Sequence, residues 1–286
     1  MQAIRRILVV IDPSLLENLA LKRASLIANA NQAQLLLLIC DNKHDHSEYL
    51  ATLRAELEDQ GHTVATHQAW HENLHRSIIS VQQAEGCSLV IKQHIADNPL
   101  KRALLTPDDW KLLRYCPCPV LMAKTTSPWT GGTVLASVDV GNTDLEHSAL
   151  HASIVSHGFE IAALAKGSLH VISAHPSAML SAADPAFQLK ETIEARYRDA
   201  CKQFQAEFDI PDSHLHIKEG PADALIPRVC HELQAVVTII GTVARTGFSG
   251  ALMGNTAEVV LDALESDVLV LKPDAIIDHL ETLARR

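Results

Sequence analysis

The chain carries one strand–helix pattern twice. Ile7-Leu8-Val9-Val10-Ile11-Asp12 leads through a helical stretch to about Asn31 and then to Leu35-Leu36-Leu37-Leu38-Ile39-Cys40. Val134-Leu135-Ala136-Ser137-Val138-Asp139 leads in the same way to about Lys166 and then to Leu169-His170-Val171-Ile172-Ser173-Ala174. The ends correspond too: Leu104 through Lys124 lines up with Leu252 through Lys272 without a gap. The offset between copies is 127 at the Asp pair, 134 at the second strand and 148 at the closing strand. The second copy therefore holds roughly 21 more residues, in the first crossover and around the second helix. Drift confined to loops and helices is the trace of a duplication that has diverged.

Each half alternates apolar strands with amphipathic helices. In the second half the periodicity predicts strands at 133–138, 168–174, 214–218, 236–240 and 267–271, with helices at 146–165, 186–207, 222–233 and 255–265. Runs such as Leu35–Ile39 and Val236–Ile240 are continuously apolar, the pattern of strands buried on both faces. Two tandem doubly wound, Rossmann-like α/β domains follow, each with a five-stranded, mainly parallel sheet. The length of 286 residues suits two such domains. Their expected limits are 1–125 and 133–274, joined by the turn-rich linker Thr125–Gly132 and followed by a helical tail at 275–286. Aromatic residues make up only 4%, so the cores must be built from Leu, Ile, Val and Ala.

A formal net charge of −10 argues against nucleic acid and anionic bilayers as partners. The cationic clusters Arg5-Arg6, Lys101-Arg102 and Arg285-Arg286 are too short to reverse this. No apolar run approaches the roughly 20 residues that span a membrane. The N-terminus runs straight into a strand rather than reading as a signal peptide. Six cysteines in a chain of this length form no disulfide framework, and the expected compartment is the reducing cytoplasm. Cys116-Pro117-Cys118 reads as a turn with partly buried thiols.

Ligands of doubly wound sheets sit beyond the carboxyl ends of the strands, where the strand order reverses. In the second half that edge carries Asp139, Ser173-Ala174, Glu219-Gly220-Pro221 and the long segment Gly241–Thr256. Four glycines fall within the 14 residues Gly241–Gly254, and Gly254-Asn255-Thr256 opens the next helix. Free N–H groups at such a helix end suit a phosphate.

Gly241, Ala244 and Gly254, followed by Asn255, resemble the phosphate loop of ATP-binding universal stress proteins: Gly, two residues, Gly, nine residues, Gly, then Ser or Thr. The likeness covers essentially the whole chain and points to the family's tandem-domain form. It implies that Asp139 and Val171 hold the adenine and ribose side, that Gly220 lies near the ribose, and that Gly241, Gly254, Asn255 and Thr256 lie near the phosphates. Arg245 could neutralise phosphate charge. Two departures weaken the match: Ala244 adds a methyl where backbone should approach phosphate, and Asn255 replaces a hydroxyl with an amide that still donates. The implied ligand is ATP or a related adenine nucleotide, with or without Mg2+. The resemblance further implies stress resistance with links to motility and adhesion. It also implies an internal pseudo-dimer in which Val120–Ala123 pairs with Val268–Leu271, leaving homodimerisation open.

The first half lacks the loop. Gln93–Arg102 contains no glycine, and Thr106-Pro107-Asp108-Asp109 stands where Gly254-Asn255-Thr256-Ala257 stands in the other copy. A capping Thr, a Pro in the first turn and two acids make a good helix start and a poor phosphate site. Asp12 is then expected to hydrogen-bond at its strand end. Sixteen histidines include the pairs His71/His75, His147/His151 and His44/His46. They read as exposed helix and loop positions, with adventitious zinc the extent of the metal chemistry they suggest. No nucleophile elbow, Walker lysine or Mg2+-holding carboxylate pair appears, so no catalytic residue is assigned. A nucleotide-responsive stress protein is the leading reading. The alternatives are a ligand-free scaffold, a slow ATPase, or a binder of another small molecule in the first-half cleft.

Overall fold

The structure, a computed structural model, describes residues 4–95, 106–142, 144–175, 190–242 and 255–284. The first half comprises β1 (Arg6–Val10), α1 (Leu19–Asn31), β2 (Gln34–Ile39), α2 (Ser47–Asp59), β3 (Val64–Gln68), α3 (Leu74–Ala84), β4 (Leu89–Gln93), α4 (Pro107–Tyr115) and β5 (Val120–Ala123). The second comprises β6 (Thr133–Ser137), α5 (Leu145–Ala165), β7 (Ser168–His175), α6 (Lys190–Phe208), β8 (Leu215–Glu219), α7 (Ala222–Glu232), β9 (Val237–Gly241), α8 (Asn255–Ala263) and β10 (Asp267–Leu271). A last helix, α9 (Asp274–Ala284), follows.

Among the described residues ten strands join one sheet in the order β3-β2-β1-β4-β5-β10-β9-β6-β7-β8. Within each half every ladder is parallel. The registers repeat: Ile7 faces Leu35 and Leu89, and Val134 faces Leu169 and Val237. Those partners stand at the offsets of 127, 134 and 148 read from the sequence, so the insertions leave strand pairing untouched. Strand side chains alternate between two cores. Ile7, Val9, Leu35 and Leu37 face α1 and α2, while Leu8, Val10, Leu36 and Leu38 face α3 and α4. The second half repeats this with α5 and α6 on one face and α7 and α8 on the other. Burial on both faces is what allows continuous apolar runs in a parallel sheet.

The halves meet through β5 and β10, which pair antiparallel. Leu121 lies opposite Leu269, with Val120 opposite Val270 and Met122 opposite Val268. Leu121 and Leu269 are equivalent residues of the two copies, so a local two-fold axis passes between them. The contact is isologous, like that of a symmetric dimer. It removes two strand edges that would otherwise be open to other chains.

Two devices lock this seam. Lys124, just after β5, donates from Nζ to the carbonyls of Leu261 and Leu264 (3.0 and 2.6 Å) at the end of α8. Lys272, its counterpart after β10, donates to the carbonyl of Cys116 (2.9 Å) at the end of α4. Each half thus supplies the cation that caps a helix of the other, where the helix dipole favours positive charge. Burial pushes Lys124 down to about 8 against the pull of neighbouring acids, and it lowers Lys272 as well.

The second device is Asp267, fully buried at the start of β10. One carboxylate oxygen accepts from Arg23 Nε of α1 (2.7 Å) and Trp129 Nε1 (2.8 Å). The other accepts from the amides of Lys124 and Thr125 (2.8 and 3.0 Å). Arg23 also donates to the carbonyls of Thr125 and Ser127 (3.0 and 2.6 Å), and its guanidinium lies 5.1 Å from the Trp129 ring centre. The turn-rich stretch expected as a linker is therefore pinned into the interface, with Trp129 only 1% exposed. The tail α9 packs on α3 of the first half and buries Leu280.

Removing one partner of a buried ion pair strands the other, at a cost of about 3–5 kcal/mol. Asp267→Ala should lower the unfolding free energy by about that amount in urea titrations. Glu58→Ala, which loses only an exposed helical pair with Arg54, should change it by less than about 1 kcal/mol. Equal effects of the two substitutions would show that the node does not hold the halves together.

Candidate functional site

In each half β1 or β6 is flanked by strands on opposite sides, so the order reverses there and the strand ends open a crevice. At the second-half edge Asp139 is exposed. Its backbone N–H donates to His151 Nε2 (3.2 Å), and its carboxylate accepts from the Gly141 amide (3.2 Å). His151 is only 7% exposed and burial lowers its pKa, which keeps the ring neutral and able to accept. Val140 N–H donates to the Ser173 hydroxyl (3.2 Å), tying the β6 end to β7. Tyr197 of α6 closes the edge: a Cβ on Gly141 would lie 2.3 Å from its hydroxyl, and its ring stands 5.1 Å from that of His175. Burial and the nearby Asp139 charge raise the Tyr197 hydroxyl, so it stays a neutral donor.

Gly220 has φ +133° and donates to the carbonyl of His175 (2.9 Å), a backbone conformation that excludes other residues. Gly241 ends β9, but its missing side chain has a packing reason. A Cβ there would lie 2.6 Å from Leu150 and 2.9 Å from Ile154 of α5. Val171, expected on the adenine and ribose side, is fully buried in mid-β7 between Ala136 and Leu215, and its side chain belongs to the core. Ala244, Arg245 and Gly254 lie outside the described residues. Asn255 and Thr256 form the first turn of α8. The edge thus gathers Asp139 and Gly220 with His151, which sequence reading took for an exposed helix position, and with His175 and Tyr197, which it missed because nothing in their spacing marks them.

The first half resolves the same crevice differently. Asp109, fully buried in the first turn of α4, accepts from Lys92 Nζ (2.7 Å), pairs with His94 Nδ1 (2.9 Å) and accepts from the Thr106 amide (3.1 Å). Thr106 Oγ1 accepts from the Asp109 amide in return, completing a capping box with Pro107 in the first turn. Burial alone would raise the Asp109 carboxyl. The hydrogen bond with His94 and the charge of Lys92 outweigh it and hold the group at about 2. The helix end that would receive a phosphate is filled by the chain's own carboxylate. The one sequence signal was Lys92 inside the apolar strand Leu89-Val90-Ile91, since a buried lysine needs a partner. Asp12 bonds locally, accepting from the Ser14 amide and hydroxyl (2.9 and 2.6 Å).

The reading of the paired histidines as exposed also needs correction. His75 and His151 are both buried, and His71 lies before α3 rather than on it. His147 pairs with the N-cap Asp144, so the His147/His151 rings are engaged separately. Cys116 and Cys118 are both buried, with their sulfurs 3.7 Å apart, and all six cysteines are free.

The lowered Asp109 pKa stabilises the fold above the ordinary carboxyl value of 3.8, and this contribution fades as pH falls through about 2. The wild-type chain should therefore lose on the order of 2 kcal/mol from this group between about pH 4 and pH 2. Asp109→Asn should be less stable at neutral pH, because Lys92 is left buried without a counter-charge, and its acid limb should be flatter. Identical acid limbs in urea unfolding would remove Asp109 from the account.

Among the described residues no helix is long and apolar enough to cross a membrane. The family profile described as "Universal stress protein family" matches residues 3–124 and 143–272. Universal stress protein E of Photorhabdus laumondii is 31% identical over 94% of this chain and 95% of its own length. Universal stress protein E of Escherichia coli K12 is 35% identical over 72% of this chain and 67% of its length. The crystal structure of a functionally unknown protein from Pseudomonas aeruginosa PAO1 superposes with a TM-score of 0.92 at 65% identity, covering 99% of this chain and 98% of that one. With two matching domains, the repeated strand registers and relatives of this identity, the chain belongs to the universal stress protein family in its tandem form.

Proposed function

We propose that the second domain binds an adenine nucleotide of the ATP type, with or without Mg2+, and that the protein acts in the stress response through that binding rather than through catalysis. The observation carrying this reading is the contrast between the two helix ends. At the α4 end Asp109 occupies the anion position, paired with Lys92 and His94. The equivalent residues of the second half are Ala257, Ile240 and Thr242, so neither the Asp109 carboxylate nor its Lys92 partner has a counterpart at the same position there. Asn255 and Thr256 open α8, and the first turn of a helix presents amides without intrahelical partners, which suit an anion. The exposed Asp139, on the opposite side of the crevice, suits a ribose hydroxyl.

On this reading the first domain serves as the fixed half of an internal dimer. The domain limits 1–125 and 133–274, with the tail 275–286, are part of the proposal. So is a reducing, cytoplasmic location, which six free thiols support. A ligand-free scaffold is the second reading, and Gly241 favours it, because packing against Leu150 and Ile154 explains that glycine without any phosphate.

Calorimetric titration of the whole chain with ATP should give one site per chain. Gly254→Asp, which places a carboxylate where phosphate would sit, should weaken that site at least tenfold and leave the melting temperature of the ligand-free chain within a few degrees. Heatless titration of the wild type would leave the scaffold reading. Retained affinity in Gly254→Asp would move any nucleotide elsewhere. Gly241→Ala is not informative, since it should destabilise the fold with or without ligand.

A further inference from the structure

The loop from β2 into α2 carries a cluster that neither the fold nor the nucleotide reading uses. Asp41 Oδ2 lies 2.9 Å from His44 Nδ1 and 2.9 Å from His46 Nε2. The three donor atoms all fall within 4.8 Å of one another. The spacing, Asp, two residues, His, one residue, His, was legible in the sequence only as a polar loop. What the chain fold adds is convergence: opposite ring nitrogens of the two imidazoles turn to one carboxylate oxygen.

The loop is held in that shape from outside. Gln68, the last residue of β3, donates from Nε2 to the carbonyls of Asp41 (3.1 Å) and His44 (2.6 Å). Its Oε1 accepts from the His46 amide (2.9 Å). The second Asp41 oxygen accepts from the Lys43 amide (2.7 Å), which leaves Oδ2 as the oxygen facing the imidazoles. One amide side chain thus fixes the backbone on both sides of the ligand atoms, and one backbone N–H fixes the carboxylate. The amide on the second carboxylate oxygen is outer-shell support of the kind metal ligands carry, and Gln68 holds the backbone that presents all three side chains.

We propose that Asp41, His44 and His46 form a zinc site of the first domain. Two imidazoles and one carboxylate are a donor set for Zn2+, whereas Mg2+ and Ca2+ take oxygen donors. Zinc bonds of about 2.0–2.1 Å to nitrogen and oxygen require only small movements of side chains already gathered to hydrogen-bond distance. Three protein ligands leave one position of a tetrahedral ion for water or an anionic small molecule. That position adjoins the crevice of about 420 Å3 at the ends of β1, β2 and β4, which His44, His46, Asp12 and Gln93 line. The site is independent of the nucleotide reading, since it uses no residue of the second domain.

The test uses the full chain, stripped with a chelator and titrated with zinc sulfate by calorimetry at neutral pH. One site per chain is expected, weakened at least tenfold by Asp41→Asn and by His46→Ala. Gln68→Ala, which removes no ligand, should weaken it about tenfold through loss of loop support. Cobalt substitution should give the intense visible bands of a four-coordinate ion. On zinc addition the histidine ring 15N signals that move should be those of His44 and His46 among the 16 histidines. These two spectra are read on the wild-type chain, so a variant that fails to fold does not shield the proposal. Zinc affinity unchanged in Asp41→Asn and His46→Ala, weak six-coordinate cobalt bands, or shifts at other histidines would each overturn it.

Discussion

One buried carboxylate decides how the two halves of this protein sit. Asp267 accepts four hydrogen bonds, from a helix of the first domain, from the segment between the domains and from a tryptophan buried in that segment. Four donors fill the acceptor capacity of a fully desolvated carboxylate, whose burial would otherwise be costly. They can be supplied only when α1, the Lys124–Trp129 segment and β10 occupy their places together. The equivalent residue of the first copy is Pro119, so the arrangement exists once. The seam beside it is two-fold, but the lock is not. The symmetric parts, the Leu121–Leu269 pairing and the exchanged lysine caps, supply complementarity; the asymmetric carboxylate fixes one route for the connecting chain.

The same contrast between shared backbone and divergent side chains governs the clefts. Both halves build the crevice from the same strand registers, yet Asp109 fills the helix end in one, and the equivalent residue of the other is Ala257. Asp109 with Lys92 reproduces, inside the protein, the pairing of an anion with a lysine, and the His94 ring hydrogen-bonds the same carboxylate. Such a substitution keeps the helix end satisfied without a ligand, and it removes any reason for the glycine-rich loop that would have wrapped one.

The duplicated architecture was legible in the sequence because buried parallel strands tolerate little variation: apolar runs stay aligned while crossovers lengthen. The helix start at Thr106-Pro107-Asp108-Asp109 was legible for the same kind of local reason, since capping chemistry acts within a few residues. What was not legible depends on contacts distant in sequence. Trp129 sat in a stretch rich in Thr, Ser, Pro and Gly, and nothing local revealed that Asp267 would draw it into the interior. Tyr197 reaches Gly141 only through the packing of α6, and the place of Val171 in mid-strand is set by its pairing with Ala136 and Leu215. Gly241 shows a motif position with a packing cause of its own, in the close approach of Leu150 and Ile154.

The exchanged lysine caps carry a consequence for how such a molecule can change. In an assembly of two identical chains, any residue altered at one cleft is altered at the other, so a ligand site cannot be given up on one side alone. Joining the copies in a single chain lifts that coupling. Selection can still preserve Lys124 and Lys272, because each copy depends on the cation the other contributes, while residues such as Asp109 and Ala257 drift apart. Fusion thereby turns a symmetric oligomer into a molecule with two unlike faces, free to sense one thing and present another.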